Sequence, residues 1–237
     1  MQYLIIFAAI LPAFALVIYV YLRDKYEREP LSQVLKAVGY GVISAGIAYV
    51  LEVIIGGMGI TGQAATWVGA LWNAFVGAAI PEEAAKLLML WLLLRHNPHF
   101  DERFDGIVYA CCVGMGFAGT ENILYLLGNI DSWQMVAVPR ATFAVPGPSF
   151  FAVAMGYFYS QISFRDLPAH KQSRIFIVPV LLHGCYDGLL MMAEVSPILG
   201  GALVLIFYVF CFQMFKYGRR RIREQAEQSN PDNIKFF

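Results

Sequence analysis

Long runs of apolar residues, separated by short polar loops, make up most of this chain. About 20 apolar residues cross the hydrocarbon core of a bilayer, and a helix satisfies its own backbone hydrogen bonds there. The pattern therefore predicts an all-α fold, a polytopic transmembrane helical bundle of about seven spans. The predicted spans are approximately 2–22, 34–55, 67–94, 104–127, 133–160, 175–194 and 197–217.

The third run contains Pro81, the fifth contains Pro146 and Pro148, and the fourth has closely spaced glycines. We expect the third run to tilt or break at Pro81, and the fifth at Pro146 or Pro148, because proline removes a helical hydrogen bond. Gly114, Gly116 and Gly119 lie close together in the fourth run, where small residues allow tight helix packing.

Composition supports a membrane protein of one domain. Hydrophobic residues make up 59% of the chain and charged residues 14%. We expect a single membrane-embedded domain over residues 1–237, with 218–237 as a cytoplasmic tail that is disordered from Ser229. The net charge is zero, so we expect no nucleic-acid partner. The cysteines lie in apolar runs and indicate packing rather than disulfides.

The lysines and arginines predict the orientation. Fifteen of the 17 fall in alternate loops or after the last span, and the loops 56–66 and 128–132 contain none. Because basic residues concentrate on the cytoplasmic side, we expect the N-terminus outside and the C-terminus in the cytoplasm. The remaining two, Lys86 and Arg140, lie within spans.

Few ionisable or strongly polar side chains lie within the spans. Charges at that depth are costly and usually mark function or a paired interior site. Glu52 and Glu194 lie at span ends, where we expect the interface to solvate them. The remaining set is Glu82, Glu83 and Lys86 in span three, Glu121 and Asn122 in span four, Arg140 in span five, and His183 and Asp187 in span six.

The spacing of these residues favours a shared site. Glu82 and Lys86 are four apart and can pair, whereas Glu83 points about 100° away and should lack a partner in its own helix. His183 and Asp187 share a helix face. Carboxylates and an imidazole that converge could hold a divalent metal or polarise a water molecule. The alternatives are a paired interior charge at Glu82–Lys86 and a hydrogen-bonded core histidine at His183.

Three motifs in order resemble a known family. Glu82-Glu83-Ala-Ala-Lys86 matches EExxK, Phe117-Ala-Gly-Thr-Glu121-Asn122 matches FxxxEN, and His183-Gly-Cys-Tyr-Asp187 matches HxxxD. Together they resemble the PrsW family of intramembrane proteases, within a wider group that contains CAAX prenyl endopeptidases and bacteriocin-processing enzymes. The resemblance covers roughly residues 77–190.

The resemblance implies a multi-pass protease of the bacterial cell membrane. Its substrate would be a single-span membrane protein such as an anti-sigma factor, cut at site 1. Glu82, Glu83, Lys86, Glu121, Asn122, His183 and Asp187 would form the catalytic site. Members are often called metalloproteases, so one expectation is a divalent metal such as zinc held by Glu83, Glu121 and His183. The other is a glutamate-activated water without metal.

One stretch departs from the family pattern. Relatives commonly show a Pro-Gly-His-Ala-like stretch before a Met-Gly-Tyr run, whereas this chain has Pro146-Gly147-Pro148-Ser149. Pro148 thus stands where the resemblance predicts histidine. Three explanations follow: a metal held without that histidine, metal-free chemistry, or loss of activity.

The residues lead to one main hypothesis and two alternatives. An endopeptidase would use Glu83 or Glu82 as general base and His183, positioned by Asp187, as metal ligand or oxyanion stabiliser. Asn122 could also donate to the oxyanion. The alternatives are a non-catalytic membrane scaffold of the same fold and a proton-coupled transporter.

Overall fold

The apolar runs form helices in the computed structural model, which describes residues 2–63 and 65–229, and that part of the chain contains no strand. The all-α prediction is therefore confirmed. A short 3₁₀ turn, Ala169–Lys171, precedes the eighth helix. The α-helices are α1 Gln2–Arg23, α2 Leu31–Gly57, α3 Trp67–Trp72, α4 Ile80–Leu94, α5 Asp105–Gly128, α6 Trp133–Pro139, α7 Pro146–Ser163, α8 Arg174–Val195 and α9 Pro197–Gln228.

Six helical stretches of the described residues are long and apolar enough to cross a membrane. The remaining predicted span, 67–94, is helical throughout but carries the charges of Glu82, Glu83 and Lys86 near its middle. Those charges set it apart from the other six. The six stretches are Gln2–Arg23, Leu31–Gly57, Asp105–Gly128, Trp133–Ser163, Ala169–Val195 and Ile198–Gln228.

The third and fifth predicted runs widen into a π-helix before their prolines instead of breaking. Asn73–Ala79 joins α3 to α4 just before Pro81, and Arg140–Ala144 lies just before Pro146. Proline lacks an N–H and its ring collides with the carbonyl four residues earlier, and a π turn is one way to accommodate that. Such turns are frequent at functional sites. The first one sets the rotation of α4, and therefore the direction of its two glutamates.

Helix α5 lies at the centre of the bundle, because all of its residues from Asp105 to Gly119 are buried. Small residues let its neighbours approach closely. A Cβ added at Gly116 would lie 2.1 Å from the carbonyl oxygen of Val38 on α2. One added at Gly114 would lie 2.8 Å from the Cβ of Ala152 on α7. The predicted tight packing is confirmed at these two glycines.

Polar contacts tie together the loops at the basic ends of the helices. Arg103 donates to Asp166 from the α4–α5 loop to the loop after α7, with Nε 2.6 Å from Oδ2. The hydroxyl of Tyr109 on α5 donates to Glu29 in the α1–α2 loop. Helix α9 continues to Gln228, so residues 218–228 are helical, and 230–237, where we expected disorder, lie outside the described residues.

Candidate active site

The two glutamates and the lysine of α4 form one ion-pair cluster. The Lys86 ammonium lies 3.0 Å from Glu82 Oε2 and 3.0 Å from Glu83 Oε1. Our expectation that Glu83 has no partner in its own helix was wrong, because residues three apart are also neighbours on a helix surface. The ring of Phe117 on α5 lies 3.8 Å from the ammonium, so Lys86 is enclosed by two carboxylates and an aromatic face.

His183 on α8 joins this cluster from the opposite side. Its Nδ1 lies 2.9 Å from Glu83 Oε1, and its Nε2 lies 3.1 Å from Asp187 Oδ2. Phe151 on α7 stacks on the imidazole, with ring centroids 4.8 Å apart. Both ring nitrogens therefore face carboxylates while one face is covered, which fixes the orientation of the imidazole.

The cluster has a buried interior and a more open edge. The side chain of Glu83 has no exposed surface, whereas those of Glu82 and Asp187 are 14% and 23% exposed. Glu82 Oε2 also lies 4.0 Å from His183 Nε2. A molecule that approaches this edge would therefore meet Glu82 and Asp187 before Glu83.

Glu121 and Asn122 form a neighbouring cluster around Arg140. Arg140 donates from Nη2 to Glu121 Oε1 at 2.9 Å and from Nε to Asn122 Oδ1 at 2.6 Å. The Asn122 amide donates to the carbonyl of Ala9 on α1 at 2.8 Å. Glu121 is close enough to Glu82 for the two carboxylates to interact electrostatically. Arg140 thus links the π segment before α7 to α5.

Glu52 is a polar neighbour of the site that the sequence interpretation treated as a boundary residue. It is half-buried on α2 and close enough to Glu82, Lys86 and His183 for electrostatic interaction. One helical turn earlier, Ala48 packs against Ala85 on α4. That four-residue spacing places Glu52 on the face of α2 that meets α4, which only the packing of the two helices reveals.

A metal ion does not fit these side chains as they are arranged. Glu83 Oε2 is buried without a hydrogen-bond partner among the described residues and could be one ligand. However, the Lys86 ammonium lies between the two glutamates, and both nitrogens of His183 already face carboxylates. Glu121 is paired with Arg140 instead. Within residues 2–63 and 65–229, no group of three or more histidine, cysteine or acidic side chains converges on one point.

Pro148, at the position where the resemblance predicts histidine, is buried in the first turn of α7. The adjacent Gly147 lies against Tyr186 of α8, since a Cβ there would be 3.2 Å from its ring. This turn therefore packs directly on the helix that carries His183 and Asp187.

Comparison with known proteins agrees with the motifs. The family described as PrsW family intramembrane metalloprotease matches residues 29–214. The protein named Protease PrsW from Geobacillus kaustophilus (strain HTA426) is 34% identical over 227 residues, 94% of this chain and 95% of that protein. Its namesake in Bacillus subtilis (strain 168) is 33% identical over 191 residues, 80% and 84% of the two chains. That of Clostridioides difficile (strain 630) is 30% identical over 205 residues, 85% and 83%. No solved structure matches significantly.

Proposed function

This chain belongs to the PrsW family of intramembrane metalloproteases and is a peptidase of the bacterial membrane, and we propose that it cleaves a membrane-spanning protein with a glutamate-activated water. The observation that carries this proposal is the contact network between α4 and α8. It joins Glu82, Glu83 and Lys86 to His183 and Asp187 across about 100 residues of sequence.

Glu82 is the general base in this proposal. It lies at the more open edge of the cluster, where a water molecule and a peptide bond can reach it. Its carboxylate takes a proton from the water as the oxygen attacks the carbonyl carbon, and returns the proton to the departing amine. Lys86 contacts both glutamates and holds the carboxylate of Glu83 in a fixed position.

Glu83 and Asp187 are positioning residues for His183. Their carboxylates face the two ring nitrogens, so they fix the ring plane and favour a ring that donates from both sides. His183 lies beside Glu82, and its two N–H groups face Glu83 and Asp187. The positive charge of the ring, rather than a hydrogen bond from it, therefore stabilises the oxyanion that forms on the carbonyl oxygen. No step is assigned to a metal ion, because Lys86 lies between the two glutamates and both nitrogens of His183 already face carboxylates.

Glu121, Asn122 and Arg140 support the site from its flank. The amide of Asn122 is used by Ala9 and Arg140, so its role here is to position Arg140 rather than to donate to the oxyanion. Arg140 in turn neutralises Glu121 and lies 4.0 Å from the ring of Tyr125. The carboxylate of Glu121 therefore lies near Glu82 with its charge balanced by Arg140.

The proposed substrate is a single-span membrane protein, with an anti-sigma factor as the example that the family resemblance implies. A cluster set among membrane-spanning helices acts on peptide bonds that enter the bilayer region. We also propose that the N-terminus lies outside and the C-terminus in the cytoplasm, because the basic residues collect at one set of helix ends. Reporter fusions after residues 63 and 229 test that orientation.

The test of the activity is mass spectrometry of new protein N-termini in membranes of expressing cells. The wild type is compared with the Glu82→Gln/Glu83→Gln variant, which keeps the side-chain shapes and removes both carboxylates. Glu194→Gln is the matched control, because Glu194 is an exposed glutamate on α8. We expect fragments that appear with the wild type and the control and are missing with the double variant.

The pattern of fragments also identifies the substrate and the cut bond. Identical profiles from all three folded proteins would contradict the proposal and favour the scaffold function. If Glu83→Gln alone abolishes cleavage while Glu82→Gln cleaves fully, then Glu83 is the general base and Glu82 the positioning residue.

A further inference from the structure

A continuous crevice runs between α1 and α9, away from the candidate active site. Its outer part, at the basic ends of the helices, has a volume of about 620 Å³. Its inner part has a volume of about 520 Å³ and extends towards the middle of the bundle. The two parts join, because Tyr19, Arg23, Phe215, Arg219 and Ile222 line both.

The outer part, here called the basic mouth, is strongly cationic. Among the described residues that line it, six are basic and one, Glu227, is acidic. Arg223 pairs with Glu227, and Arg220 pairs with Glu224. The basic lining residues are Arg23, Lys25, Lys216, Arg219, Arg220 and Arg223.

Three of these cations lie over aromatic rings instead of beside carboxylates. Arg23 lies 5.2 Å from the ring of Tyr19, and Arg219 lies 5.4 Å from that of Phe215. Lys216 lies 4.7 Å from Phe212. Aromatic faces hold a cation without neutralising it. The mouth therefore keeps positive charge that the described part of the chain does not balance.

The inner part is apolar. Its walls include Leu16 and Val20 of α1, Met115 of α5, and Phe150 and Val153 of α7. Apolar walls of this kind bind hydrocarbon chains. Arg23 and Arg219 lie where the inner part meets the basic mouth. The crevice thus combines an anion-binding end with a hydrocarbon-binding interior, in the order in which a phospholipid presents its headgroup and its chain.

We propose that this crevice binds an anionic phospholipid, with an acyl chain against α1, α5 and α7 and the phosphate on Arg23 and Arg219. Charge complementarity selects this occupant over an apolar transmembrane helix, because a helix offers no anion to the basic mouth. In the orientation proposed above, the basic mouth lies at the cytoplasmic leaflet. Anionic lipids are abundant there, and basic pockets between helices on that side bind their headgroups.

Helix α7 connects the crevice to the active site. Phe150 and Val153 line the crevice, and Phe151 between them stacks on His183. A lipid in the crevice therefore supports the helix that covers one face of the imidazole. Its binding should be visible as a gain in the stability of the whole bundle.

The test is the thermal unfolding midpoint of the purified full chain in detergent, titrated with lipid. The probes are phosphatidylglycerol, phosphatidylcholine with the same acyl chains, and inorganic phosphate. We expect phosphatidylglycerol to raise the midpoint, and the other two to have little effect. For the Arg23→Gln/Arg219→Gln variant we expect roughly 30-fold weaker binding, since each basic contact contributes about fivefold.

The Arg95→Gln/Arg174→Gln variant is the matched control. Both arginines are exposed at the same helix ends, and Arg95 also lies over an aromatic ring, that of Trp91, but neither lines the crevice. We expect it to bind phosphatidylglycerol as the wild type does. Equal loss in both variants would overturn the proposal in favour of a general effect of surface charge.

Two other results would also overturn it. Equal stabilisation by both lipids would show that hydrocarbon alone is recognised, and stabilisation by inorganic phosphate would show a simple anion site. A second variant, Leu16→Trp, fills the inner part without changing charge. We expect it to weaken phosphatidylglycerol binding while the protein remains folded, and unchanged binding by a folded variant would place the lipid elsewhere.

Discussion

Replacing Lys86 by methionine should destabilise the protein strongly, although methionine has a similar length and is more apolar. In the native structure the ammonium contacts Glu82 and Glu83, each at 3.0 Å, and only 4% of the residue is exposed. Removal of the cation leaves the imidazole of His183 to compensate two neighbouring carboxylates. One of them, Glu83, has no access to solvent.

The magnitude follows from this burial. Removing one partner of a buried ion pair costs about 3–5 kcal/mol, and loss of the contact with Phe117 adds to it. For a chain of this size we expect the unfolding midpoint to fall by about 10 °C. The Arg103→Met variant is the control, because the pair Arg103–Asp166 is 35% and 28% exposed, and exposed pairs contribute only about 0–1 kcal/mol.

Thermal unfolding in detergent measures the effect, and a triple variant tests its cause. Glu82→Gln/Glu83→Gln/Lys86→Met removes all three charges, so it should recover most of the lost stability while cleavage stays absent. If Lys86→Met unfolds at the same temperature as Arg103→Met, the cluster is not an enclosed ion pair. If the triple variant is less stable than Lys86→Met, uncompensated carboxylates are not the cause.

Three further predictions concern other parts of the molecule. Burial raises the pKa of Asp24 to about 6 and the pKa of Glu29 to about 7. Because both pKa values are raised in the folded state, we expect the stability to fall as pH rises from about 4 to about 7. Unfolding midpoints measure this fall, which should be smaller in Glu29→Gln. Because Lys86 occupies the space between the glutamates, cleavage should withstand a metal chelator, and a loss that zinc restores would contradict this. Gly41→Ala should destabilise by about 1–3 kcal/mol, since its Cβ would lie 2.1 Å from Val113 O. Gly46→Ala should have little effect in the same unfolding assay, because no described atom lies within 4 Å of the added Cβ.

Local patterns in the sequence were sufficient to predict the helices and to identify the polar side chains within them. A span of apolar residues has one way to satisfy its backbone in a bilayer, so hydropathy predicted the helical bundle. Spacing placed Glu82 beside Lys86 and His183 beside Asp187, because the period of a helix is fixed at 3.6 residues per turn. Three short motifs in order were enough for the family.

Contacts between helices required the tertiary structure. The period of α4 does not say which of its neighbours Glu83 meets, and the structure places it between Lys86 and His183. Likewise, the pairing of Glu121 with Arg140 and the nearness of Glu52 depend on how α5 and α2 are rotated. The position of Glu52 near the end of its predicted span did not indicate that it lies close to the site.

The sequence by itself determined which segments are helices, which side chains are polar within them, and which family they belong to. Only the tertiary structure decided which of those side chains form ion pairs and which one lies at the open edge of the site. It also decided where a crevice remains between α1 and α9. The physical reason is that hydrogen bonds within a helix fix spacing along one axis. The rotation and distance between axes come from packing, which at Gly114 and Gly116 depends on partners from other parts of the chain.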